Sequence, residues 1–258
     1  MPLTKQTYTQ NALPTFWQPV SRETFTTTFN RVIGAPKTLS TDAVLDTYIV
    51  NLSAGHAFVA NDILFIAQDG NIYQAEVLSV NVNALTMDTP LNFPYLTAPG
   101  VEGQATTVFK IENNLAVNGS ATPQKFEVSA PGDHVWAVTR MFVTMLTDGA
   151  PDDGLFGDLD ALTRGVIFRI LNGRIYNKGN FKDNGDIAAI CYDLTYSQRS
   201  GPHGSHGLRA RVSFASAGKS GNAIILDGGK NEKAEVIVQD DLLNLVEFKI
   251  ALQGVVLK

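Results

Sequence analysis

HVWAVTRMFVTML (134–146) is the stretch that decides the fold, because it is the longest β signal in the chain. Trp136, Val138 and Phe142 fall on one face of an extended strand. Val135, Ala137, Met141, Val143 and Met145 fall on the other. Both faces are mainly apolar, so the strand is expected in a sheet covered on both sides, with Trp136 and Phe142 in the core. Outward from it, residues 114–258 are a run of short apolar segments broken by turn clusters. Among these are Asn118-Gly119, Pro131-Gly132, Asp153-Gly154, Asn172-Gly173, Asn184-Gly185 and Asp227-Gly228-Gly229. Further strands are expected at 107–111, 126–129, 166–171, 187–192, 208–214, 223–226, 235–239 and 245–252, with one short helix at 155–162. This rhythm predicts an antiparallel β-sandwich, jelly-roll or immunoglobulin-like, over residues 107–258.

Residues 41–106 carry their own β pattern. Segments 46–52, 62–68, 71–80 and 84–87 read as strands, and Asp69-Gly70 between two apolar runs is a strong hairpin signal, since Gly accepts the positive φ of the turn. Many short strands with little helix predict a small barrel, followed by a connecting loop marked by Pro94, Pro99, Gly100 and Gly103. Residues 1–40 are rich in Thr, Gln, Asn and Pro, with scattered aromatics and weak periodicity. They read as an extended arm, with Phe16 and Trp17 as its interface anchor. Packing of the arm on its own chain is the alternative. The whole chain is thus expected to be all-β.

Of 258 residues, 44% are hydrophobic and only 17% are charged. A quarter is usual for charged residues, so much of the surface is neutral, which favours burial in a homo-oligomer or larger assembly. Net charge is -5 and no basic block occurs, which argues against direct nucleic-acid binding. The single cysteine, Cys191, has no intrachain disulfide partner. No apolar signal region opens the chain, and no run approaches the roughly 20 apolar residues of a membrane span. Synthesis in a cytoplasm without export or membrane insertion is expected.

The chemical motifs read mostly as structure. Ala217-Gly218-Lys219-Ser220-Gly221 holds the end of a phosphate loop, but Ser213 stands where the motif needs Gly, so a hairpin turn is expected. His203 and His206 lie three apart in a Gly-rich loop without the other ligands zinc wants. Asp148, Asp152, Asp153, Asp158 and Asp160 gather around glycines, the kind of loop that holds calcium, yet EF-hand spacing is absent. Those two loops are the metal candidates, and no cofactor is expected. Asp240-Asp241 near Glu235 reads as a strand-ending turn, because neighbours on a strand point to opposite faces. Tyr192 and Tyr196, near Asp193 and Arg199, are the residues a sugar-binding face would use. No catalytic constellation is visible, so the chain is expected not to be an enzyme.

Five segments carry a resemblance: KIENNLAVNG (110–119), HVWAVTRMFV (134–143), FGDLDALTRGVIFRILNG (156–173), GLRARVSFA (207–215) and VIVQDDLLNLVEFKIALQGVVL (236–257). Together they resemble a family of tailed-bacteriophage virion proteins. The matching residues are Trp136 with Val138-Thr139-Arg140, Phe156 with Leu162-Thr163-Arg164-Gly165, Arg211 with Phe214, and Asp240-Asp241-Leu242 with Gln253-Gly254. Arg164 stands where the family pattern has Asn. The resemblance implies a non-enzymatic part of a phage particle: tail, neck or baseplate first, with capsid decoration close behind. It implies other phage structural proteins as partners and the virion as location. A carbohydrate-binding sandwich that meets a host glycan is the other class of reading.

Overall fold

In the computed structural model, 55% of the chain is strand and 5% is helix, so the all-β expectation holds. The structure describes residues 24–68, 71–91, 93–98, 105–132, 134–150, 152–190, 193–198, 206–214 and 223–257. The first strand is β1 (Thr24–Thr28). Six follow: β2 (Arg31–Thr38), β3 (Ile49–Asn51), β4 (Ile63–Gln68), β5 (Asn71–Asn81), β6 (Ala84–Met87) and β7 (Thr107–Glu112). Then come β8 (Gln124–Ser129), β9 (Val135–Thr147), β10 (Val166–Leu171), β11 (Ile175–Phe181), the helix α1 (Asn184–Ile190) and β12 (Asp193–Gln198). The last are β13 (His206–Ser213), β14 (Ile224–Asp227), β15 (Lys233–Val238) and β16 (Glu247–Val256). Two units result. Residues 30–112 form the smaller, and residues 24–29 with 113–257 belong to the larger.

The smaller unit is one antiparallel sheet in the order β2-β7-β4-β5-β6-β3. Alternation along β4 turns Leu64 and Ile66 into the core, where they join Tyr73, Val77, Leu85, Met87, Val108 and Tyr95. Pairing of Gln68 with Asn71 leaves two residues between β4 and β5, as the hairpin reading requires; Asp69 and Gly70 themselves lie outside the described residues. The sheet is not closed into the expected small barrel. Its edge strands meet only beyond their ladders, at one isolated bridge, Leu39↔Leu52. The reason is local. β3 is three residues long, and the β2–β7 register shifts between Ile33 and Lys37, across Gly34 (φ 73) and Pro36, which has no N–H to give.

The division differs from the one expected at 40 and 106. Thr107–Glu112, read as the opening of the sandwich, pairs with β2 and β4 in the smaller unit. The expected arm is strand in its described part. β1 pairs with β16, and β2 begins the smaller unit. Thr-rich TFTTT has β-branched side chains but no apolar alternation, so its periodicity hid a strand.

The larger unit has two antiparallel sheets. One runs β1-β16-β9-β13-β12, with β14 also paired to β9; the other runs β11-β10-β15-β8. Buried side chains from both, including Met141, Val143, Ile250 and Leu252 from the first and Phe126, Phe168, Ile170 and Val236 from the second, share one core. In β9 only one face is fully buried. Met141, Val143 and Met145 point inward, whereas Phe142, Thr144 and Leu146 are half-buried on the opposite face. Two-sided coverage is therefore corrected, and Phe142 leaves the core. A register shift at Gln253/Gly254 realigns β9 so that Val138 and Met141 both face the core. Gly254 must lack a side chain there, since a Cβ would run into the Ala137 carbonyl. Trp136 is half-buried and stacks on Phe25, ring centroids 4.1 Å apart.

Helix placement is also corrected. Residues 155–162 form a tight loop closed by the Phe156↔Leu159 bridge. The helix is α1, over residues read as turn and strand. Asp183 caps it by accepting from the Asp186 N–H at 2.7 Å, and the Asp186 carboxylate accepts in return from the Lys182 N–H at 2.8 Å.

Candidate functional site

The acidic loop after β9 is organised by a residue the sequence reading passed over. Asn184 is fully buried. Its Nδ2 donates to the Asp152 carbonyl (2.7 Å) and the Gly157 carbonyl (3.2 Å), and its Oδ1 accepts from the Gly157 N–H (2.9 Å). Asp152 turns back to accept from the Gly154 N–H at 2.7 Å. Asp148 and Asp158 are brought together, and Asp158 also accepts from the Gly149 N–H at 3.1 Å. Burial, then the hydrogen bond with Asp148, pushes the Asp158 carboxyl above the usual range. Among the described residues no group of three or more His, Cys, Asp or Glu is placed to hold a metal.

Asp240 and Asp241 are turn residues, as read. Asp240 accepts from the Arg164 and Gly165 N–H groups at 3.0 and 2.6 Å. Asp241 accepts from Asn118 Nδ2 at 2.7 Å and from the Leu243 N–H at 3.1 Å. Three of the segments that carry the virion resemblance thus meet at one structural junction. Glu235 does different work. It is 1% exposed in the middle of β15 and accepts from Arg169 Nε at 2.6 Å, with Lys125 and Lys233 ammonium groups each 3.6 Å away. Burial pushes its carboxyl up, but the Arg169 hydrogen bond, a hydrogen bond with Glu127, and the Arg169 and Lys125 charges outweigh that and hold it below its ordinary value. The cross-strand row Arg169↔Glu235↔Glu127 creates this cluster, and only the strand register reveals it.

Two surface features remain. In the smaller unit, Val44, Leu45, Tyr48 and Ile49 are 65, 52, 49 and 51% exposed. Their backbone is pinned: Ala43 and Tyr95 exchange N–H···O bonds of 2.8 Å, the Asp46 N–H donates to the Leu91 carbonyl (3.0 Å), and the Leu91 N–H donates to the Thr47 carbonyl (2.9 Å). A fixed backbone thus presents apolar side chains to water. In the larger unit a groove of about 470 Å³ lies between β11 and β14, lined by Ile170, Asn172, Tyr176, Lys178 and residues 223–225.

Of the residues singled out from sequence, Phe16, Trp17, Tyr192, Arg199 and His203 lie outside the described residues. Tyr196 is described only as a backbone position in β12, opposite Leu208. His206 begins β13 opposite Thr147. No helix of the described residues is long and apolar enough to cross a membrane. Comparison with known proteins gives no match to a family model, to a curated protein or to a solved structure.

Proposed function

We propose that this chain is a non-enzymatic structural component of a bacteriophage particle, in the tail, neck or baseplate region, and that it works by protein–protein assembly. The observation that carries the assembly role is the patch Val44-Leu45 with Tyr48-Ile49, large apolar side chains held out from a pinned backbone. Large apolar side chains exposed together within six residues of chain favour a contact site. Sparse charge, 17% of residues, points the same way. The particle itself comes from the resemblance of the segments around Trp136, Phe156, Arg211 and Asp240 to tailed-phage virion proteins. We also read the two sheets of the larger unit as a β-sandwich, in keeping with their shared core.

Mass spectrometry of purified particles, with copy number, tests the proposal. Few copies, in multiples that suit a neck, tail or baseplate ring, are the expected result. Hundreds of copies would move the protein to capsid decoration, and its absence from particles would end the virion reading.

A further inference from the structure

We propose that the groove between β11 and β14 binds an acidic saccharide, a pyranose bearing a carboxylate. This goes beyond the assembly role and does not depend on it. Among the described residues both walls are sheet edges: β11 ends the four-stranded sheet, and β14 pairs with β9 alone. Edge strands present main-chain donors and acceptors that suit hydroxyl groups. The floor is the core side chain Ile170, 1% exposed, and the apolar rim is Ile225.

A sugar acid needs a flat apolar surface for its C–H face, hydrogen-bond partners for its hydroxyls and a cation for its carboxylate. Tyr176, 44% exposed, offers the surface. Asn172 lines the same groove, and its side-chain amide brings a hydrogen-bonding group to the wall. Lys178 supplies the charge. It forms no ion pair among the described residues, and its Nζ stands 5.7 Å from the centre of the Tyr176 ring. The cation is therefore un-neutralised and stands over one face of the Tyr176 ring, which leaves the other face for stacking. A single ammonium suits a monoanionic carboxylate better than a phosphate dianion, which draws several donors at once. The volume, about 470 Å³, sits within the roughly 300–1,000 Å³ of small-ligand sites and holds one or two sugar rings.

Titration of the full chain with digalacturonic acid and with neutral galactobiose, followed by calorimetry, tests the assignment. Saturable binding of the acid is expected, with the neutral disaccharide at least about tenfold weaker, the discrimination a charge-assisted hydrogen bond supplies. Lys178→Gln should remove that preference, and Tyr176→Ala should remove binding of both sugars. Both positions are exposed, so the denaturation midpoint should stay put and separate lost binding from lost folding. Equal affinity for the two disaccharides overturns the proposal, as does binding that survives both substitutions. Competition by inorganic phosphate at equal concentration, or no saturable response to digalacturonic acid or N-acetylneuraminic acid at millimolar concentration, overturns it too. Sedimentation of the same samples reads self-association separately, so a failed titration leaves the assembly reading standing.

Discussion

The smaller unit carries nine of the fifteen exposed large apolar side chains among the described residues, although the larger unit has much more chain. The two units are built from the same material, antiparallel strands of similar length, and differ in where their apolar residues end up. In the larger unit, two sheets bury their inward faces in one shared core, and charges such as Glu235 and Arg169 cover an outer face. The smaller unit has one open sheet, a core on one side and apolar side chains in water. On the assembly role proposed above, the two units divide the labour, the larger holding a fold and the smaller offering a contact.

The sharpest way to break that contrast is to open the shared core. Phe168 is 1% exposed and meets Phe29 edge-on, ring centroids 6.0 Å apart. Phe168→Ala should cost about 3–5 kcal/mol, from lost transfer energy plus the cavity left behind. Chemical denaturation of the larger unit reads this, and a cost under about 1 kcal/mol would mean that the two sheets do not depend on one core.

Next in size is the outer-face cluster. Glu235→Gln leaves Arg169 beside a neutral amide, and the expected loss is about 1–3 kcal/mol, since the partners stay partly solvated. The pH dependence has a definite sign. A carboxyl held below its ordinary value stabilises the fold at pH above that value, about 4.3 for glutamate, and the contribution is lost as pH falls through the folded value. Asp158, pushed up, acts in the opposite sense: its protonated form favours the fold, so stability falls as pH rises from its ordinary range through the raised one. Melting temperature against pH should therefore show a shallower acid limb in Glu235→Gln and a shallower fall towards neutral pH in Asp158→Asn.

These groups also show what a sequence reveals and what it hides. Signals within a few residues survived the test: the apolar runs on either side of Asp69-Gly70 are β4 and β5, paired with Gln68 opposite Asn71. Signals that need a partner far along the chain did not. Thr107–Glu112 reads as a strand in either unit, and only pairing with β2 decides which. The Glu235 cluster exists because residues 127, 169 and 235 share one register row. Asn184-Gly185 looks like a turn because nothing nearby in sequence says that the Asn side chain will be buried and will tie down a loop some thirty residues earlier. Of the two surface features, the patch at 44–49 was visible as apolar sequence but not as exposed. The groove was not visible at all, since β11 and β14 are joined only by the fold.

A smaller effect, with the opposite sign, belongs to the smaller unit's core. Tyr95 is fully buried and its hydroxyl has no hydrogen-bond partner. Burial, then the neighbouring Tyr73, pushes its phenol up to about 12. Tyr95→Phe removes a polar atom that gains nothing from folding and should stabilise this unit by about 1 kcal/mol. Hydrogen exchange resolved by peptide reads the two units separately, and slower exchange should be confined to residues 30–112. Unchanged or faster exchange there would show that the hydroxyl has a water partner worth keeping.

The smallest expected stability change carries the most about function. Leu45 and Tyr48 are half exposed, and the hydrogen bonds that fix their segment use the backbone of Ala43, Asp46, Thr47, Leu91 and Tyr95. Replacing both side chains by polar ones, Leu45→Asp with Tyr48→Ser, touches neither that backbone nor the core. Exposed positions of this kind shift stability by no more than about 0.5 kcal/mol. Association should respond quite differently. An aspartate at the centre of an apolar contact leaves a charge to be buried without a partner, which interfaces tolerate poorly. The double variant should thus fold with an unchanged denaturation midpoint and yet fail to self-associate in sedimentation or to enter particles. A lowered midpoint would mean that the two side chains stabilise their own unit, and the contrast between a self-contained unit and a contact-making one would collapse. Normal folding with normal assembly would leave that contrast without a function and move the contact surface elsewhere on the chain.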